Sequence, residues 1–364
     1  MDNVKKQPVI KKDTKNKISV DYEGKMSLKK RIIMKLTSKA FLVDVVWAII
    51  RFILLVGIAF IVLYPFFVKI SSSFMSASDF KDVTVKMIPK TPTISTYTTV
   101  ITENLYFKAL LNTFLLSLLC AAVQMFMCAF IGYGFAKFKF KGSGILFLAV
   151  ILTMVIPHDT LQLSLFMKFR YFDVYGIYGF IHACTDGSIT SVGGAFDWIR
   201  LAILGYKETA SIQLNGTVLP LLILSLGGLA FKNGLYIFLM RQFFRGVPDE
   251  LEEAAYIDGS GPFKTYIQII LPISIPMLVT IFLFAFSWQW TDTFYTSMFL
   301  SSNQMYLLTD FAKVPSSMNS EGGAGFTSAV YNTCSLLIIL PLVIMYCFLQ
   351  KYLVQGIERS GIVG

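Results

Sequence analysis

The sequence predicts an all-α polytopic membrane protein with about six transmembrane helices, and three observations predict it. Apolar residues fall in blocks of about 20 or more, the length needed to cross a hydrocarbon core of about 30 Å. Charged residues make up 15% of the chain, where a soluble domain carries about 25%. Hydrophobic residues reach 55% and the mean hydropathy is +0.64.

The elements follow in order. Residues 1–51 form a basic N-terminal segment whose second half, SLKKRIIMKLTSKAFLVDVVWAII, reads as an amphipathic helix at the membrane interface. A transmembrane domain over 52–349 then holds spans at about 52–68, 109–136, 145–169, 217–240, 270–299 and 326–349. The second span is closed by the basic hairpin KFKFKG, and the third carries Pro157 beside His158 and Asp159. Residues 170–216 are an insertion on the outer side, 241–269 an inner loop, and 350–364 a tail. With the N-terminus inside, the inner segments hold 21 Lys and Arg against 9 outside, as the positive-inside rule requires. Both termini are therefore expected in the cytoplasm of a bacterial plasma membrane.

Composition excludes several classes. The formal charge of +10 is concentrated before the first span, without the interleaved aromatics of a nucleic-acid groove, so no nucleic acid is expected. Five cysteines show neither CxxC nor metal spacing, and no metal site is read. The polar start is too long for a simple cleaved signal peptide, so the first span is expected to stay as an anchor. GxxxxGK[ST], HExxH and GxSxG are all missing, so an enzyme with its own ATP site is not expected.

One stretch is written for water between two membrane spans: EEAAYIDGSGPFKTYIQIILPISIP, Glu252 to Pro276. Pro248 suits a first helical turn, and Asp249, Glu250, Glu252 and Glu253 favour the positive end of a helix. Gly259 stands where a left-handed cap is wanted, and Pro262 can open a second helix at a new angle. Physics alone leaves two readings open, a well-formed connector or a surface presented to a partner.

The spacing of Glu253-Ala254-Ala255, Asp258-Gly259, Leu271 and Pro272 resembles the EAA signature of ABC-importer permeases. FSWQWTDTFYTSMFL and LQKYLVQGIERSGIVG are similar to the fifth span and tail of sugar permeases related to the smaller maltose-permease subunit, with Thr291 where Asn is usual. The resemblance implies a type I importer permease fold in which this loop is the coupling helix docked in an ATPase subunit. It further implies a second, homologous permease, two ATPase subunits that bind ATP and Mg, an extracytoplasmic solute-binding protein and a sugar substrate. No cofactor is expected in this chain itself.

Candidate substrate-path residues are Trp288, Gln289, Trp290 and Asp292, with Lys232 and Asn233 in the fourth span. For the two tryptophans an aromatic belt at the membrane interface is the competing reading. Glu321, Gly322, Gly323 and Gly325 in the glycine-rich outer loop are candidates for contact with the binding protein. Alternatives are a permease for a glycerol phosphodiester or polyamine, and an ion-coupled secondary transporter, which would show buried acid or interrupted helices in matching halves.

Overall fold

The computed structural model describes residues 9–12, 18–21, 39–172, 213–300, 304–318 and 323–361. Most of the 170–216 insertion, together with Glu321 and Gly322, lies outside the described residues. The chain divides into two compact units, 1–68 and 69–364. In the first, β1 (Val9–Lys12) pairs antiparallel with β2 (Ile18–Asp21), Ile10 opposite Val20, a hairpin the sequence reading did not anticipate. Helix α1 spans Lys39–Ser73. An interfacial helix ending near 51 and a separate span from 52 were expected. Asp44 and Arg51 do not break the helix, because a charged side chain leaves the backbone hydrogen bonds intact; seven residues apart, both lie on one side of it and are exposed.

The second unit contains α2 (Ser95–Glu103), α3 (Tyr106–Lys137), α4 (Ser143–Val155), α5 (Gln162–Arg170), α6 (Leu219–Leu226) and α7 (Asn233–Arg245). It continues with α8 (Glu250–Ile257), α9 (Pro262–Thr265), α10 (Leu271–Ile273) and α11 (Ile275–Trp290). Helices α12 (Phe294–Phe299), α13 (Leu308–Phe311) and α14 (Gly323–Gly361) complete it. Among the described residues, three helices are long and apolar enough to cross a membrane, or five when two sharply bent pairs are each counted as one span.

Helix α3 is the axis of this unit and packs along α7 and α11, while α14 packs along α11. Its buried face is made largely of small residues: Ala109, Thr113, Ser117, Cys120, Ala121, Cys128, Ala129 and Gly132. Lipid tails are as apolar as leucine, so helices in a membrane associate through close packing, which small side chains permit. A Cβ on Gly132 would lie 2.6 Å from Met240 Cβ, which marks where α3 and α7 cross. Pro341 inside α14 has no N–H for the Leu337 carbonyl. The Tyr106 hydroxyl donates to that oxygen at 3.0 Å, and Trp290 Nε1 donates to the neighbouring Ile338 carbonyl at 3.0 Å. The proline kink is thereby satisfied from α3 and α11.

Three expected spans are interrupted. In 145–169 the chain turns at Ile156, extended at ψ 122 before Pro157, and the flanking helices bend by 101°. In 217–240, α6 ends at Gly227 and Gly228 takes φ +68, with Leu229 N–H closing on Leu224 O at 2.9 Å. Lys232 then adopts φ 66 before α7 begins. In 270–299 the helix breaks at Ser274, between Pro272 and Pro276, with a 79° bend, and it stops again at Trp290. Irregular backbone at membrane depth is tolerated only where protein buries it or it lines a cavity.

Candidate functional site

Two sites emerge, one at the Lys137 end of the bundle and one at the interrupted helices. At the first, α8 has the cap its sequence requires. Gly259 is left-handed at φ +79, Ser260 N–H reaches Ala255 O at 2.9 Å and Gly259 N–H reaches Tyr256 O at 3.0 Å. This pair of bonds is a Schellman closure. Pro262 opens α9, whose chain runs on through a wide turn at Tyr266–Ile270 into α10.

One face of α8 is pinned to α3. Lys137 Nζ donates to Val247 O at 2.7 Å and meets Asp249 Oδ1 at 2.5 Å and Glu252 Oε1 at 3.5 Å. The Tyr133 hydroxyl donates to Glu252 Oε2 at 3.3 Å. Lys137 and Glu252 are both buried, whereas Asp249 is largely exposed. The hydrogen bond from the Lys137 ammonium holds the Asp249 carboxyl below its ordinary value. The opposite face is bare: Glu253, Ala254, Asp258 and Gly259 are exposed, as are Ile257 at 86% and Phe263 at 66%. Ala255 instead packs inward at 5% exposure, so of the two alanines only Ala254 faces outward. Leu271 packs against the core and Pro272 is exposed. The sequence reading missed Glu252, Lys137 and Tyr133. Glu252 and Ala255 are three apart and so share a face of the helix, the face that turns inward here.

The second site is a cavity of about 240 Å³ lined by Thr153–His158, Leu229, Ala230 and Lys232–Leu235, at the breaks of the third and fourth spans. His158 Nδ1 is 2.8 Å from the Tyr295 hydroxyl, and its ring lies 4.6 Å from that of Phe231. Phe231 sits 5.1 Å from Trp288. Lys232 Nζ lies over both rings, at 4.9 Å from Phe231 and 5.1 Å from Trp288. Asn233 is fully buried and lines the cavity. Lys232, Asn233 and Trp288 are thus brought together, with Phe231, His158 and Tyr295 as additions.

The other expected path residues are placed differently. Trp290 is in the core at 2% exposure, stacked on Phe286 at 5.4 Å and bonded to α14. Asp292 is a structural cap: its carboxylate accepts the Phe294, Tyr295 and Thr296 N–H groups at 3.1, 3.2 and 2.8 Å. Gln289 is half-buried with an unpartnered Nε2 and does not line the cavity. Trp288 and Trp290 are two positions apart, about 200° around a helix, so they could not share a face. Of the outer-loop candidates, Gly323 opens α14 at φ +68, and a Cβ on Gly325 would lie 3.1 Å from the Phe80 ring. Both are exposed.

The chain is similar to known permease proteins. The arabinooligosaccharides transport system permease protein AraQ of Bacillus subtilis is 24% identical over 309 residues, covering 83% of this chain and 91% of AraQ. The galactooligosaccharides transport system permease protein GanQ of the same organism is 26% identical over 316 residues, covering 86% and 94%. A crystal structure of a bacterial ABC transporter involved in the import of the acidic polysaccharide alginate superposes at a TM-score of 0.61, with 20% identity, covering 86% of this chain and 98% of its counterpart. Residues 128–359, more than half of the chain and including both sites, match a family model, and the chain belongs to the family of binding-protein-dependent transport system inner membrane components.

Proposed function

We propose that this chain is one permease subunit of an ABC importer for a sugar or oligosaccharide. In this reading it pairs with a second, homologous permease, two ATPase subunits that bind ATP and Mg, and an extracytoplasmic solute-binding protein. Both termini and the α8 loop lie in the cytoplasm, as the basic-residue asymmetry of 21 against 9 supports. The permease role rests chiefly on α8, a capped helix fastened to α3 on one face and bare on the other. The sugar assignment rests on the names of the relatives.

In operation, closure of the ATPase subunits pushes on Glu253, Ala254, Asp258 and Gly259. The interrupted helices around Lys232 and Asn233 rearrange, and sugar released by the binding protein enters. Such a loop couples the two events only to the extent that its contacts differ between the inward-open and outward-open states. Interrupted helices are also used by ion-coupled carriers, but those have no ATPase to receive α8.

The test is sugar-stimulated ATPase activity of the reconstituted complex, wild type against Glu253→Ala and Gly259→Asp, with assembly followed in parallel. Loss of stimulation or of docking in both variants is the expected outcome. Full stimulation in both would remove α8 from the coupling path.

A further inference from the structure

The cavity between the third and fourth spans contains polar groups that the protein itself leaves unused. Asn233 has no exposed surface, and neither its Oδ1 nor its Nδ2 has a hydrogen-bond partner. Stranding a buried amide costs about 1–3 kcal/mol, so such a group is retained where something else completes it. Its neighbour Lys232 is held at φ 66, a backbone conformation that side chains other than glycine rarely adopt. No carboxylate among the described residues lies within ion-pair distance of Lys232, whose ammonium rests instead on the rings of Phe231 and Trp288. A cation within a membrane span is costly unless paired, and it marks a ligand path. The first residues of α7, Asn233, Gly234 and Leu235, line the same cavity, so the positive end of that helix adds to the field.

These groups have separate tasks. An ammonium and a helix start select negative charge, and an amide offers an NH2 donor group and a carbonyl acceptor to hydroxyls. The volume of about 240 Å³ is below the roughly 300–1,000 Å³ of drug-sized sites, room for one sugar ring. We propose that this cavity is a subsite for an acidic sugar unit, a uronate, whose carboxylate pairs with Lys232 while Asn233 takes its hydroxyls; Trp288, outside the lining, holds the Lys232 ammonium from behind. The proposal rests on the sugar-permease reading and narrows its substrate class. A carboxylate is favoured over a phosphate because a single ammonium matches a monoanion, and no arginine lines the cavity.

The experiment is equilibrium binding to the purified permease–ATPase complex without the binding protein, so that the cavity alone selects. The probes are digalacturonate, the neutral galactobiose and galactose 6-phosphate, on wild type, Lys232→Gln and Lys232→Arg. Wild type should prefer digalacturonate to galactobiose by roughly tenfold, the worth of one charge-assisted bond. Lys232→Gln should erase that preference and Lys232→Arg keep it. Equal binding of the acid and neutral sugars to wild type overturns the proposal, even if the glutamine variant fails to assemble. So does a preference that survives in Lys232→Gln, tighter binding of galactose 6-phosphate, or binding of none of the three. The permease reading is judged separately, by the Glu253 and Gly259 variants, and can stand when the uronate assignment falls.

Discussion

Replacing Lys137 with methionine keeps its stem in the packing against α8 and removes the charge. The wild-type ammonium holds the Val247 carbonyl and two carboxylates, Asp249 and Glu252. The Asp249 side chain is 79% exposed and its pair adds little. The Glu252 side chain is only 9% exposed and would be left as an uncompensated buried charge. Breaking a buried pair in this way costs about 3–5 kcal/mol. The fastening of α8 to α3 should therefore loosen by about 3 kcal/mol, the lower end of that range because Tyr133 still donates to Glu252. At about 1.4 kcal/mol per factor of ten, amide hydrogen exchange across 250–257 should quicken on the order of a hundredfold. Adding Glu252→Gln removes the stranded charge, and the double variant should exchange more slowly than Lys137→Met alone. Acceleration of less than about threefold in Lys137→Met, or additive losses in the double variant, would refute the buried-pair argument.

Two further outcomes are expected. Gly132→Ala places a methyl 2.6 Å from Met240 Cβ and 3.0 Å from Arg241 N, so the complex should lose about 1–3 kcal/mol in thermal melting; Gly134→Ala, with nothing within 4 Å, should be neutral or slightly stabilising. The Asp249 carboxyl is depressed by Lys137, so its contribution is present above the unfolded value of about 3.9 and lost as pH falls through the lower folded value. Protection of the 249–257 amides should fall over that acid window, and Asp249→Asn should remove this part of the pH dependence.

The α8 loop was legible because its determinants are local: acids in the first turn, a left-handed glycine after the last, a proline to start again. The bundle was legible from apolar block length. The interruptions were only half legible. Pro157, Gly227-Gly228 and the Pro272/Pro276 pair stood in the sequence as breakers, yet block hydropathy runs straight through all three. The left-handed Lys232 could not have been foreseen, since a strained lysine persists only when surrounding packing over-determines it. Site residues divide the same way. Trp290 and Asp292 carry the polar atoms expected of a sugar site, but α14 and the start of α12 consume them. Trp288 and Lys232 keep theirs because their neighbours are aromatic rings.

The fastening of α8 to α3 has a mechanical consequence. Along the chain, α8 joins its neighbours through Gly246 on one side and the capped turn Gly259–Gly261 on the other, connections with no side chain to brace them. The Lys137–Glu252 link bypasses both joints and delivers load to the end of a 32-residue helix, about 48 Å of stiff rod. At Gly132, about a turn and a half from that end, the rod bears directly on the backbone of α7. A displacement applied at α8 thus enters α3 and α7 side by side, and α7 begins at Asn233 on the cavity wall. The loop is built as a crank on a shaft.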